Sequence, residues 1–159
     1  MIKPVERNDL KICLSIIQKG FESVTEEFGL TKENCPGRGD ADLSYETLEA
    51  EFLLGDLMFV YVAGGKYVGF LSITQRPGLE YGIRYLVVLP EYRYRGYGTA
   101  LLGHAKAAAA VLSAKKLVFS MLNYDMRLKN WYIENGFTEI SSDRISGTPF
   151  LTVNMEMEL

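Results

Sequence analysis

The chain has 159 residues, 48% of them apolar and 23% charged, with a formal net charge of −3. That length suits one domain, residues 1–159, with a sizeable core, and the mild negative charge argues against a large nucleic-acid footprint. No apolar run reaches the roughly 18 residues of a membrane span, so neither nucleic acid nor a membrane is an expected partner. The first residues, Met1-Ile2-Lys3-Pro4-Val5-Glu6-Arg7, lack the apolar centre of a signal peptide. Cys13 and Cys35 are the only cysteines, too few and wrongly spaced for a disulfide framework or a metal site. A reduced, cytoplasmic protein without metal is the expectation.

Met1 to Pro4 reads as a short strand. Asn8 or Asp9 is placed to cap a helix carrying Leu10, Cys13, Leu14, Ile17 and Phe21 on one face. Residues 33–42 are rich in turn formers and read as a loop, and a second helix begins near Ser44. Met58–Ala63 and Tyr67–Thr74 are strands joined by Gly64-Gly65, a hairpin signal. Glu80–Leu89 is the next strand, and the helix after it places Leu101, Leu102, Ala105, Ala108, Ala109 and Leu112 at helical spacing. Leu117–Leu122 is a strand, Asp125–Asn135 a helix, Phe137–Ser141 a strand, and Phe150–Leu159 a last strand that alternates well. The order is β-α-α-β-β-β-α-β-α-β-β.

Between the strand ending at Leu89 and the helix lies Arg93-Tyr94-Arg95-Gly96-Tyr97-Gly98-Thr99-Ala100. A strand, a glycine-punctuated turn and a helix start is how a diphosphate site is built, with an ordinary strand-to-helix turn that happens to contain glycines as the alternative. The first helical N–H groups lack partners, the dipole puts partial positive charge there, and glycine lets phosphate approach the backbone. Two arginines add charge and forked donors. A P-loop is excluded because Thr99-Ala100 follows Gly98 where Lys and then Ser or Thr are needed. The dinucleotide fingerprint is excluded because Leu101 stands where a third small residue belongs, and Val118, Phe119 and Ser120 stand where its acid belongs.

Arg93-x-x-Gly96-x-Gly98, preceded by Val88-Leu89-Pro90-Glu91-Tyr92, resembles the acetyl-CoA loop of the GCN5-related N-acetyltransferase (GNAT) family. Asp125 to Phe137 resembles the family's next motif: Tyr132 falls seven residues after Asp125 and four before Gly136-Phe137. The likeness is firm over residues 85–137. It implies the family's α/β fold (an α+β mixed, mostly antiparallel central sheet with helices on both faces), acetyl-CoA as co-substrate, and transfer of acetyl to a primary amine on a small molecule or peptide. Edge strands of such sheets pair, so a homodimer is among the expected assemblies.

Transfer needs a neutral amine, donors for the charge that develops on the thioester carbonyl, and a proton or its equivalent for the departing thiolate. The resemblance gives the backbone of a bulged fourth strand, Leu86, Val87 and Val88, to the pantetheine arm and the carbonyl, with Val88 foremost as oxyanion donor. Residues Arg93, Tyr94, Arg95, Gly96, Tyr97, Gly98 and Thr99 are assigned to the diphosphate. Asn123, at the end of the fifth strand, bonds the pantetheine amides or simply ends the strand. Tyr132 is the general acid, a phenol protonated at neutral pH; packing in the core is the alternative. Relatives with a strand carboxylate place Glu where this chain has Gly82. Glu80, two residues earlier on the same strand face, is the candidate base, with ordered water as the alternative. His104 lies more than two turns down its helix and reads as structural. Lys129 and Asn130 reach for the adenine end or form a solvated face. Acids near the first two helices, among them Glu22, Glu26, Glu27, Asp40, Asp42 and Glu46, suit a cationic acceptor but are equally ordinary on exposed helices. A non-catalytic acyl-CoA-binding module on the same fold is the competing function, and Tyr132→Phe separates the two.

Overall fold

A seven-stranded mixed sheet in the order β1-β2-β3-β4-β5-β7-β6 organises the computed structural model. It describes every residue except 32, 35–38, 124 and 145–150, and the backbone alone at 39 and 40. The strands are β1 (Ile2–Pro4), β2 (Leu57–Ala63), β3 (Lys66–Arg76), β4 (Glu80–Val88), β5 (Lys116–Leu122), β6 (Thr138–Arg144) and β7 (Leu151–Glu158). The helices are α1 (Leu10–Glu27), α2 (Tyr45–Leu53), α3 (Tyr97–Val111) and α4 (Met126–Glu134). Order and type agree with the sequence expectation throughout. Cys35 lies outside the described residues.

The caps follow local chemistry. Ser44 accepts the N–H of Thr47 and starts α2. Asp125 accepts the N–H groups of Arg127 and Leu128 and starts α4. At α1 the expectation needs correction. Asp9 caps nothing ahead of it; its carboxylate accepts the N–H of Glu6 at 2.9 Å, inside a 3-10 turn that leads into the helix. Gly64 and Gly65 both take positive φ, as the β2–β3 turn demands.

Helices α1 and α2 cover one face of β1–β4, burying Leu10, Cys13, Ile16, Ile17 and Leu48 against Met58, Val60, Phe70, Tyr85 and Val87. Helices α3 and α4 cover the other face, where Leu101, Leu102, Ala105 and Tyr132 pack on Leu71, Ile83, Leu117, Phe119 and Met155. Central strand β3 is therefore buried on both sides and carries an almost unbroken apolar run.

Two irregularities in β4 shape the middle of the molecule. Ser72 pairs with Tyr85 and Ile73 with Ile83, so Arg84 is the extra residue of a bulge. Its guanidinium is held by Asp56 at 2.8 Å and Glu51 at 3.5 Å, while the Tyr85 hydroxyl donates to Glu51 at 3.0 Å. The second irregularity lies on the opposite edge. Strands β4 and β5 run parallel but pair only at Glu80–Lys116, Tyr81–Leu117 and Gly82–Val118. Beyond Gly82 they part, and a V-shaped opening runs through the sheet.

Candidate active site

The loop before α3 turns by backbone conformation. Tyr94 has φ 62° and Gly96 φ 86°, each followed by a residue in ordinary conformation. Such alternation turns successive N–H groups towards one point. The first helical bond runs from Ala100 N–H to the Gly96 carbonyl at 3.0 Å, so the N–H groups of Tyr97, Gly98 and Thr99 have no acceptor within the helix. A Cβ on Gly98 would stand 3.6 Å from Trp131 and 3.8 Å from Val88, which brings α4 and β4 against the first turn of α3. A Cβ on Gly96 would meet nothing within 4 Å, so conformation, and not space, calls for glycine there.

The two arginines do not share one role. Arg93 donates from Nε to the Val88 carbonyl at 3.0 Å, and from one terminal nitrogen to the Gly20 carbonyl at 3.1 Å and Ser23 at 2.9 Å. Nε and one terminal nitrogen of Arg93 thus tie the loop to α1. A Cβ on Gly20 would lie 2.1 Å from the Val87 side chain, so this helix glycine lets α1 sit close enough for the tie. Arg95 is exposed and lies over the Tyr92 ring at 5.4 Å.

Below the loop, the register of β4 decides which backbone groups face the V. Leu89, just past β4, donates to Val68 of β3, and alternation in an antiparallel pair then directs Val87 to β3, with Leu86 and Val88 turned away. The Val88 carbonyl is taken by Arg93, and β5 has already diverged. The N–H groups of Leu86 and Val88 therefore face the opening, while Val87 contributes its buried side chain to the packing against α1.

A cavity of about 580 Å³ fills the opening. It is bounded by Leu86, Val87, Val88, Arg93, Tyr94, Gly96, Tyr97, Gly98, Thr99 and Tyr132, together with Phe21, Val24 and Glu27 of α1 and Arg127, Asn130 and Trp131 of α4. Tyr132 is only 6% exposed. Its ring is wedged between Phe119 (centroids 4.0 Å apart) and Trp131 (4.9 Å), and burial pushes its phenol well above the ordinary range. Core packing and placement at the cavity thus coincide in one residue. Its hydroxyl has no hydrogen-bond partner among the described residues. Glu27 and Arg127 form an ion pair across the mouth, joining α1 to α4. Asn130 lines the cavity, whereas Lys129 turns away to Glu139 at 2.6 Å.

The remaining candidates lie elsewhere. Asn123 sits just past β5 and does not bound the cavity, but its side-chain oxygen is buried and unpartnered among the described residues. Glu80 is not brought together with Tyr132; it lines a second depression at the closed end of the V. His104 packs edge-on against Phe59 at 4.4 Å, in keeping with a structural role. Cys13 is buried and its thiol is pushed up to about 12, mainly by desolvation. Sequence reasoning did not find the Arg93–Gly20–Ser23 tie or the Glu27–Arg127 pair. A glycine inside a helical pattern was the one available signal for the first.

The family profile described as "Acetyltransferase (GNAT) domain" matches residues 55–139. The chain belongs to the GCN5-related N-acetyltransferase family. It is similar to an uncharacterized N-acetyltransferase of Brevibacillus brevis, 30% identical over 121 residues that cover 72% of this chain and 71% of that protein. In three dimensions it is similar to a GCN5-related N-acetyltransferase from Rhodopseudomonas palustris (TM-score 0.80, 20% identity, 100% and 95% of the two chains). It is also similar to the PaiA N-acetyltransferase of Thermoplasma acidophilum in complex with coenzyme A (TM-score 0.77, 16% identity, 100% and 98%). This acetyltransferase has donors that suit the group its family uses. Unpaired N–H groups at the α3 start and at Leu86 and Val88 are the kind of donor that receives anionic, amide or thioester oxygens.

Proposed function

We propose that this acetyltransferase, residues 1–159 acting as one domain, moves acetyl from acetyl-CoA directly to a primary amine. The observation that carries the reading is that Tyr132, whose hydroxyl has no partner among the described residues, borders the same cavity as Leu86 and Val88, whose N–H groups face the opening. The loop from Tyr94 to Thr99 takes the diphosphate. Val88, beside the loop and already held by Arg93, suits the pantetheine arm. Leu86, one step deeper, suits the thioester carbonyl, which moves the oxyanion role along from the residue first expected to hold it. Both roles use backbone donors, so the apolar side chains are no obstacle.

The neutral amine attacks the carbonyl carbon while Leu86 N–H receives the charge that builds on its oxygen. The C–S bond then breaks and the leaving sulfur takes the Tyr132 proton, the phenol being restored from water. Glu80 lies six residues from Leu86, about 20 Å of extended strand, so the proton lost by the amine passes to water. Burial raises the phenol, and Tyr132 therefore stays protonated through the ordinary phenol range near pH ~10.

Acetyl-CoA-dependent thiol release against a panel of amines tests this. Tyr132→Phe should lower kcat by about 10²–10⁴, with acetyl-CoA affinity unchanged by calorimetry. Full turnover in that variant removes Tyr132 from the mechanism. Acetyl-CoA binding with no transfer to any amine favours the acyl-CoA-binding module.

A further inference from the structure

Gly82 is the last β4 residue paired with β5 and so marks the apex of the V. It stands where relatives with a strand carboxylate carry Glu. Alternation on β3 and β4 puts Thr74, Arg76, Glu80 and Gly82 on one face. The space a side chain at Gly82 would need is already filled: a Cβ built there would lie 2.4 Å from Arg76 Nε and 3.1 Å from Cζ. The missing carboxylate and the guanidinium lying in its place are therefore one feature.

Arg76 is exposed and has no hydrogen-bond or ion-pair partner among the described residues. It lines a depression of about 250 Å³ with Glu80, Ser120, Ser141, Asn154 and Glu156. The other charges there have partners or neighbours of opposite sign. Lys116 binds Glu156 at 3.0 Å and also feels Glu80. Asn154 is committed as well, accepting from Ser120 at 2.5 Å and donating to Ser141 at 2.9 Å and Asp143 at 3.3 Å. Arg76 is thus the cation of this group left with its donors open, at the apex of the V.

We propose that Arg76 recognises a carboxylate on the acceptor, so that the acceptor is a primary amine bearing an acid at a set distance. The proposal rests on the transferase reading above, because the position of the amine is fixed by the thioester at Leu86. Gly82 and Leu86 stand opposite Thr74 and Leu71, three residues apart on β3 because the bulge at Arg84 takes up the fourth, so about 10 Å of strand lies between them. With a hydrogen-bond length of about 3 Å at each end, amine and carboxylate lie about 4 Å apart. That span suits an amino acid or a short peptide with a free amino terminus.

The test compares alanylglycine and 6-aminohexanoate with their carboxyl amides, and with alanine and spermidine. Wild type, Arg76→Gln and Arg76→Lys are each saturated with CoA for binding and with acetyl-CoA for turnover. Binding is followed on the Arg76 Nε–Hε resonance, assigned by its loss in Arg76→Gln, and by calorimetry in the variants. The acid forms should bind and turn over about tenfold to a hundredfold better than their amides, the advantage of one charged hydrogen-bonded contact. Arg76→Gln should erase that advantage through KM, and Arg76→Lys should keep part of it. A better dipeptide points to peptide termini, and a better 6-aminohexanoate to small amino acids. Equal use of acid and amide, no binding of either acid form at millimolar concentration, preference for spermidine, or an undiminished advantage in Arg76→Gln would each overturn the proposal. Acetyl-CoA affinity is measured alongside. Its absence sinks the transferase reading, whereas normal affinity with no acid preference sinks only the role of Arg76.

Discussion

The two ends of the V are made from different materials. At the wide end, where the loop meets α3, the donors are main-chain N–H groups fixed by φ at Tyr94 and Gly96, by the start of α3 and by the register of β4. At the apex the chemistry is carried by side chains: Arg76 over Gly82, Lys116 with Glu156, and Arg84 between Asp56 and Glu51. A backbone site tolerates variation in side chains and demands only conformation, so it suits a cofactor common to a whole family. A side-chain site can be rebuilt by single substitutions, which suits an acceptor that differs from one enzyme to the next.

If that division holds, damage to the two ends should read out differently. The largest effect is expected from Gly96→Asp, which adds a charge beside the unpaired N–H groups and strains a positive φ. Acetyl-CoA affinity should fall at least about a hundredfold, near 3 kcal/mol, with Tm little changed; near-normal affinity by calorimetry would refute the diphosphate loop. Arg93→Met comes next. It cuts the ties to Val88, Gly20 and Ser23, so folding stability should drop by about 2 kcal/mol in urea unfolding. A variant that lost cofactor affinity at full stability would restore Arg93 as a direct phosphate ligand. Glu27→Gln should do least. The rim pair it breaks is exposed, so the urea midpoint should barely move, and any shift should shrink further in high salt.

The same division explains what could be read from the sequence. Gly96, Gly98 and the Tyr132-to-Gly136 spacing are local in the chain, so loop and α4 motif stand out in a linear reading. The alternation of Leu151, Val153 and Met155 marked β7 in the same way. What escaped depends on contacts distant in sequence. Arg93 and Gly20 are 73 residues apart and Arg127 and Glu27 are 100 apart. The bulge at Arg84 appears only when β4 is laid against β3. Gly82 is legible in the chain as an absence, but nothing in the linear pattern says that Arg76 fills the gap from across the hairpin. Glu80, chosen for its strand face, lies on the expected face but at the closed end of the V.

The narrow seam between β4 and β5 has a mechanical consequence. Among the described residues, three pairs join the two halves of the sheet by backbone, and only the α3–α4 side has a core that bridges them. The halves form two leaves on a short spine, and a molecule seated along both inner margins works as a rivet. Stability should then rise with cofactor concentration as binding linkage requires, and protection of amides should grow along the free margins of β4 and β5, from which the leaves would otherwise part.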